Sequence, residues 1–486
     1  MQEHQSNLST IYITTKPFYN YLRVQKPLDY QKVKEISVDD VKTNCFSTLS
    51  IVSMNIKHLN LTKYFYNFES ITRLNILNCP YVKTSANHIC LLFSYLPNVN
   101  YLYINNSELG NELNIQQYYN WDYRKKQNAD VKRRELFKMT ENLKKLQYIY
   151  ITGILDGKFY RYFSKIFEYA INLQSFKYGD EKYKNDKEMS RYLHDALFTG
   201  TLCLPSYLSN LRELKLYCVN WNKMFVFFEQ LNNFNFNKLI ALELVGDINK
   251  FIKPERKNQL DYLLHFKLFC IKIGHGLLHF VINTCDNEIL NIITTHLINL
   301  RQLYINNIPR IWVPLIDFTK LANLKYLKNI AILSSVSTPS LTQLFCNSKH
   351  HIWQVNMESI LLKNVICTND ELERFCNNLN AKYIPALRML KLIDFEIMNC
   401  TPIFENLQTL RFLEIIFNNS ITLDVNIKKH NSEVTNCPCK FKRYCENDLL
   451  KLHQLEHVYV NYNIHGFEQK LIEYINFKGN IDNVYT

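Results

Sequence analysis

The chain has 486 residues, with 57 Lys and Arg against 44 Asp and Glu, a formal charge of +13, and 47% apolar residues. So much apolar surface supports a full core and excludes a disordered chain, while the positive balance favours acidic partners without requiring them. Glycine is scarce, 10 residues in all, about 2% where roughly 7% is usual. Folds that cradle phosphates use glycine repeatedly, which disfavours a large nucleotide-binding enzyme.

The N-terminus, Met1-Gln2-Glu3-His4, lacks the basic-then-apolar layout of a secretory signal. Residues 1–44 are expected to form an N-terminal cap or a degenerate adaptor-binding segment. From residue 45 an apolar frame of the form L-x-x-L-x-L recurs. It begins at Phe46/Leu49/Ile51, Ile71/Leu74/Ile76, Val99/Leu102/Ile104 and Leu146/Ile149/Ile151. It continues at Leu173/Phe176/Tyr178, Leu211/Leu214/Leu216, Leu239/Leu242/Leu244, Leu268/Ile271/Ile273 and Leu300/Leu303/Ile305. The last frames are Leu327/Ile330/Ile332, Met357/Ile360/Leu362, Leu387/Leu390/Leu392, Leu410/Leu413/Ile415 and Leu455/Val458/Val460. Most of the steps between these fourteen frames lie between 23 and 32 residues, near the period of roughly 20–29 that stacks one strand per repeat. Two longer steps hold insertions near 110–140 and 422–450, and residues 466–486, with Phe467, Leu471, Ile472 and Ile475 at helical spacing, are expected to cap the array, which spans 45–465.

The segments between frames read as helices. Ile89, Leu92, Phe93 and Leu96 lie at helical spacing, Asn222 to Leu231 and Asn287 to Leu300 behave similarly, and Thr368-Asn369-Asp370-Glu371 has the form of a capping box. The greasiest stretch, Leu263 to Ile282, is interrupted by Lys267, Lys272 and His275, so no membrane span is expected. Fourteen cysteines are scattered, often in apolar runs. That distribution reads as buried thiols of a reducing compartment, cytoplasm or nucleus.

The repeated frame, the long steps and the Cys79-type turn slot resemble the leucine-rich-repeat superfamily. The likeness is to its intracellular branch, with ribonuclease-inhibitor-like and leucine-rich F-box proteins. The resemblance implies an α/β solenoid, a curved parallel sheet inside and helices outside, whose concave face binds a protein partner without catalysis. It further implies a non-enzymatic scaffold, with a substrate receptor in a ubiquitin-ligase-like complex as the leading role. Alternatives are a basic subunit of a nucleic-acid or chromosome-associated complex and a regulator of a small GTPase. An F-box normally opens with Leu-Pro ahead of the array; residues 1–44 have no Leu-Pro and carry Lys26-Pro27-Leu28-Asp29.

Three places carry distinctive chemistry. Residues flanking the apolar pair of a strand point to its other face, which puts Tyr101, Tyr103, Tyr148, Tyr150, Lys177, Lys215, Tyr217, Lys272 and Tyr304 on the concave side. Tyrosine offers broad contact area with a polar tip and often anchors interfaces, although 32 tyrosines put some on any face. The insertion Tyr118 to Arg134 interleaves rings with Arg124, Lys125, Lys126, Lys132, Arg133 and Arg134. This is a possible nucleic-acid contact, or else a solvated loop leading into a charged helix at Asp130 to Asn142. Cys437, Cys439 and Cys445 with His430 offer zinc-ligand chemistry, but without paired C-x-x-C spacing reduced thiols are the expectation. No phosphate-loop, dinucleotide, nucleophile-elbow or H-E-x-x-H motif occurs. Neither catalysis nor a cofactor is therefore expected, and the oligomeric state is open.

Overall fold

In each frame the middle and last apolar residues sit two apart, so a strand turns both to one side and stacks them on their counterparts in the next repeat. The computed structural model describes residues 10–14, 47–52, 69–77, 92–106, 137–153, 166–179, 209–217, 228–246, 256–308, 316–334, 355–364, 369–395, 401–417, 452–461 and 475–476, with a few gaps inside these ranges. The chain divides into two compact units, Met1–His265 and Phe266–Thr486.

The first unit carries β1 (Thr10–Thr14), β2 (Thr48–Val52), β3 (Arg73–Leu77), β4 (Tyr101–Asn106), β5 (Tyr148–Gly153), β6 (Ser175–Tyr178), β7 (Glu213–Tyr217) and β8 (Ala241–Val245). Consecutive strands pair in parallel and in register. Leu49, Leu74, Leu102, Ile149, Phe176, Leu214 and Leu242 therefore form one column, each at most 1% exposed. A second column runs through Ile51, Ile76, Ile104, Ile151, Tyr178, Leu216 and Leu244, all fully buried. Each such side chain contributes about 1.5–3 kcal/mol of burial, and no repeat realises that gain without its neighbours. β1 lies inside the segment 1–44 and extends the parallel pairing by one strand, Ile11 opposite Leu49.

The rungs are also tied by a recurrent backbone bond. The carbonyl just before a strand accepts the two N–H groups that open the next one. Asn100 O accepts from Gln147 N (2.8 Å) and Tyr148 N (2.9 Å), Gln147 O from Gln174 N and Ser175 N, and Gln174 O from Arg212 N and Glu213 N.

Helix α1 (Arg256–Ile273) carries the division between the units. It corrects the eighth frame, because Leu268, Ile271 and Ile273 are helical and not a strand. Phe266, Phe269, Cys270 and Ile273 are buried while Leu264, Leu268 and Ile271 are exposed, a division of period 3.6 that a strand cannot produce. The strand of this repeat is β9 (His279–Ile282), with Leu277, Phe280 and Ile282 as its buried frame. The Gly274-His275-Gly276 turn thus follows a helix and leads into the strand.

The second unit continues with α2 (Asn287–His296), β10 (Gln302–Ile308), a 3-10 turn at Phe318–Asn323, β11 (Asn329–Ser334) and β12 (Ser359–Lys363). Then come α3 (Asn369–Asn378), β13 (Met389–Phe395), α4 (Thr401–Asn406), β14 (Phe412–Phe417) and β15 (His457–Asn461). β9 to β15 pair in parallel with the same register logic. Asp286 caps α2 by accepting from Ile289 N at 2.7 Å, and Ile289, Leu290 and Ile293 turn its apolar face inward. α3 opens with Asp370 and Glu371 in its first turn, as the capping pattern predicts. Ile475, expected in a terminal helix, instead lies in β16 (Ile475–Asn476), antiparallel to β15; Phe467, Leu471 and Ile472 lie outside the described residues.

Candidate protein-interaction face

The face of the first unit opposite the apolar columns is built from the residues that alternate with them. In the row nearest the strand starts, Arg73, Tyr101, Tyr148, Ser175 and Glu213 are cross-strand neighbours. Parallel register brings Tyr101 beside Tyr148 with ring centroids 6.1 Å apart, and the Arg73 guanidinium lies 4.2 Å over the Tyr101 ring. Glu213 accepts from the Ser175 hydroxyl at 3.0 Å.

The middle row holds Asn75, Tyr103, Tyr150, Lys177, Lys215 and Glu243. Tyr103 and Tyr150 stack at 4.8 Å with 25° between planes. The Lys177 ammonium sits 4.3 Å from the Tyr150 ring centre and 5.1 Å from that of Tyr217, so one cation is held against two aromatic faces. Glu243, only 9% exposed, pairs with Lys215 at 2.9 Å and accepts from the Tyr217 hydroxyl at 2.6 Å. The Asn105 amide donates to the Tyr103 hydroxyl at 3.0 Å. The result is a tethered aromatic stripe with cations along its length, a broad surface with polar tips.

Seven of the nine expected interface residues, Tyr101, Tyr103, Tyr148, Tyr150, Lys177, Lys215 and Tyr217, come together on this one face. Tyr304 belongs to the second unit, where its ring meets His279 edge-on at 5.4 Å and His279 Nδ1 lies 2.7 Å from Gln302 Oε1. Lys272 is corrected outright: it is an exposed residue of α1, not a strand residue. Arg73 is a further member of the first unit's face, and His279 is a further residue beside Tyr304 in the second unit. The flanking rule applied to Ile71/Leu74/Ile76 points to Arg73, whereas His279 needs the corrected frame.

Arg124, Lys125, Lys126, Lys132, Arg133 and Arg134 lie outside the described residues, as do Cys437, Cys439, Cys445 and His430. The charged helix expected over 130–142 is described only from Phe137, and there it is helical. Among the described residues no three His, Cys, Asp or Glu side chains cluster to hold a metal. Cys270, Cys285 and Cys376 are buried free thiols. Burial raises the pKa of Cys270 and of Cys285, with the Asp286 charge adding to the second. These are packing residues rather than nucleophiles. Nor is any helix among the described residues long and apolar enough to cross a membrane.

Parallel in-register strands repeating one apolar frame, with helices in several connections, define an α/β leucine-rich-repeat solenoid. The structure is similar to that of an internalin (inlF) from Listeria monocytogenes str. 4b F2365, with 15% identity over 67% of this chain and 69% of that one and a TM-score of 0.31. It is similar also to a protein from Bacteroides fragilis, with 12% identity over 62% of this chain and 66% of that one and a TM-score of 0.28. No protein-family model matches the chain, and no curated protein matches it. Likenesses this distant leave the site to be read from its own geometry.

Proposed function

We propose that the chain is a non-enzymatic interaction scaffold that holds a protein partner on the tyrosine stripe of its first unit. The observation that carries this reading is the stacked Tyr103–Tyr150 pair at 4.8 Å with Lys177 against it. Rings already held by neighbours lose little freedom on binding, and aromatic centres with charged rims are where binding energy concentrates. Tyr148, 38% exposed, widens the stripe.

The test is quantitative capture of partners from the native cell extract by the parent chain, Tyr103→Ala and Tyr150→Ala. A true anchor costs on the order of 2 kcal/mol of affinity, so the main partner is depleted with either variant while the melting temperature holds. Parent-like capture by both variants overturns the reading. A salt-dependent loss with Lys125→Ala alone favours the nucleic-acid subunit instead.

Within this reading, the role of substrate receptor in a ubiquitin-ligase-like assembly of the cytoplasm or nucleus is the finer proposal, supported by the resemblance to leucine-rich F-box proteins. Deleting residues 1–44 would remove β1 as well, so Leu28→Asp is the cleaner probe. A ligase adaptor captured by the parent chain and lost with Leu28→Asp supports the role; no adaptor captured by either removes it.

A further inference from the structure

A second surface runs along the edge where strands β4 to β7 begin. It is a groove of about 540 Å³ lined only by amide and cationic side chains: Asn98, Asn100, Lys145, Gln147, Asn172, Gln174, Asn210, Arg212 and Lys238. These fall into two lines, which behave differently.

The outer line is tied internally. Lys145 Nζ donates to the Pro97 carbonyl at 2.8 Å and to Asn98 Oδ1 at 3.2 Å, Asn172 donates to the Lys144 carbonyl, and Lys238 donates to Asn210 Oδ1 at 2.8 Å. The inner line is Asn100, Gln147, Gln174 and Arg212, one residue per repeat. Its backbone is locked by the paired N–H bonds that join each rung to the next. Among the described residues no partner meets any of these four side chains, so a row of fixed amides and one guanidinium offers its bonding groups to the groove.

The second unit uses the same pre-strand position in another way. There Lys328 pairs with Glu358 at 2.5 Å, Arg411 with Glu456 at 3.7 Å, and Arg388 donates to the Pro385 carbonyl at 2.8 Å. Of the four cations in that column, Arg301, Lys328, Arg388 and Arg411, the last three are answered from the chain itself. In the first unit Lys145, Arg212 and Lys238 line the groove with no carboxylate among the lining residues.

We propose that this groove binds an extended, acidic segment of a protein partner. The three amides in the middle each present both a donor and an acceptor, which matches the N–H and C=O groups of a peptide backbone. A phosphate chain offers acceptors only and would leave the amide oxygens unanswered. The cations at either side are placed for Asp or Glu carboxylates, and Arg212 supplies the planar fork that carboxylates favour. Rungs of a parallel sheet lie about 4.8 Å apart, so the four inner side chains reach across about 14 Å, enough for several residues of extended chain. The surface is separate from the tyrosine stripe, and its test stands apart from the test of that face.

The probe is a fluorescent peptide of alternating glutamate and glycine, titrated with the full chain and read by anisotropy. Its glutamine counterpart and a single-stranded oligonucleotide of equal charge are run beside it. The glutamate peptide is expected to bind more tightly than both, more weakly as salt rises, and about tenfold more weakly to Arg212→Gln, the loss of one charged hydrogen bond. Gln174→Glu, which places a carboxylate in the row, is expected to abolish binding. Lys328→Gln, in the equivalent column of the second unit, is expected to leave it unchanged. Arg212 and Gln174 lie at the surface and outside the apolar columns, so both variants should fold, and melting curves check that they do. Failure of the glutamate peptide to bind, equal binding by the glutamine peptide, tighter binding by the oligonucleotide, or parent-like binding by folded Arg212→Gln overturns the proposal.

Discussion

The Lys215–Glu243–Tyr217 cluster gives the sharpest stability test of the interaction face. Glu243 is the buried end of the pair: the side chains of Lys215 and Glu243 are 28% and 12% exposed, and their charged atoms lie 2.9 Å apart. Lys215→Met removes the cation and leaves a carboxylate with poor access to water, its bond from the Tyr217 hydroxyl at 2.6 Å remaining. Stranding a buried charge costs about 3–5 kcal/mol; the residual exposure of both groups brings the expected loss down to about 2 kcal/mol. Glu243→Gln keeps the shape and still accepts from Tyr217, while the freed ammonium turns to solvent, so about 1 kcal/mol is lost. The double variant strands no charge and should also lose about 1 kcal/mol, a coupling of about 2 kcal/mol in a double-mutant cycle. Urea unfolding followed by circular dichroism reads the losses, and hydrogen exchange of the β7 and β8 amides assigns them to the first unit. Additive losses, or a Lys215→Met loss smaller than that of Glu243→Gln, would refute the assignment of Glu243 as a buried charge held by its lysine.

Two backbone positions and three thiols supply further tests. In Gly274→Ala the new methyl carbon falls 2.1 Å from the His296 carbonyl oxygen and 2.6 Å from that of Cys270, so backbone must move, at a cost of about 3 kcal/mol; an unchanged melting temperature would contradict this packing. Gly179 holds φ at +84° with Tyr217 Cβ 2.9 Å from where its own Cβ would be, and Gly179→Ala should lose about 2 kcal/mol through strain and contact together. Cys270, Cys285 and Cys376 are buried and should resist alkylation at mildly alkaline pH until the chain unfolds. Mass spectrometry of labelled peptides measures this, and native-state labelling at the rate of a free thiol would count against it.

Most of the strand pattern was legible because its signal is redundant. Thirteen of the expected frames coincide with strands, and in eleven of them all three frame residues are described and buried. The parallel pairing of identical frame positions then fixes which side chains share the opposite face, so Tyr103 opposite Tyr150 follows from spacing alone. The frame at Leu268 failed because three apolar residues at positions 1, 4 and 6 satisfy both periods over so short a window. Length decides between them: Arg256–Ile273 is an 18-residue helix, and the true frame from Leu277 sits 23 residues before Leu300. Lys272 followed the wrong frame and was misplaced with it. The inner line of the groove, Asn100, Gln147, Gln174 and Arg212, directly follows the first residue of each frame, so its alignment is implicit in the spacing. What spacing does not show is that these side chains line a groove free of carboxylates.

That column clarifies where this fold can store function. The two buried columns are committed to the core and tolerate little besides apolar side chains. The pre-strand edge and the opposite face lie outside those columns, although Ser50, Thr152 and Glu243 of that face are buried, so their chemistry can vary between units more than that of the columns. In the second unit the edge carries the ion pairs Lys328–Glu358 and Arg411–Glu456, and the middle row of the opposite face includes small and aliphatic residues such as Ala331 and Leu361. The first unit leaves its edge amides unanswered and lines its opposite face with stacked tyrosines against cations. One frame repeated along one chain thus carries an edge largely paired within itself in one unit, and an edge of open amides beside stacked tyrosines in the other. The difference lies at positions outside the two apolar columns.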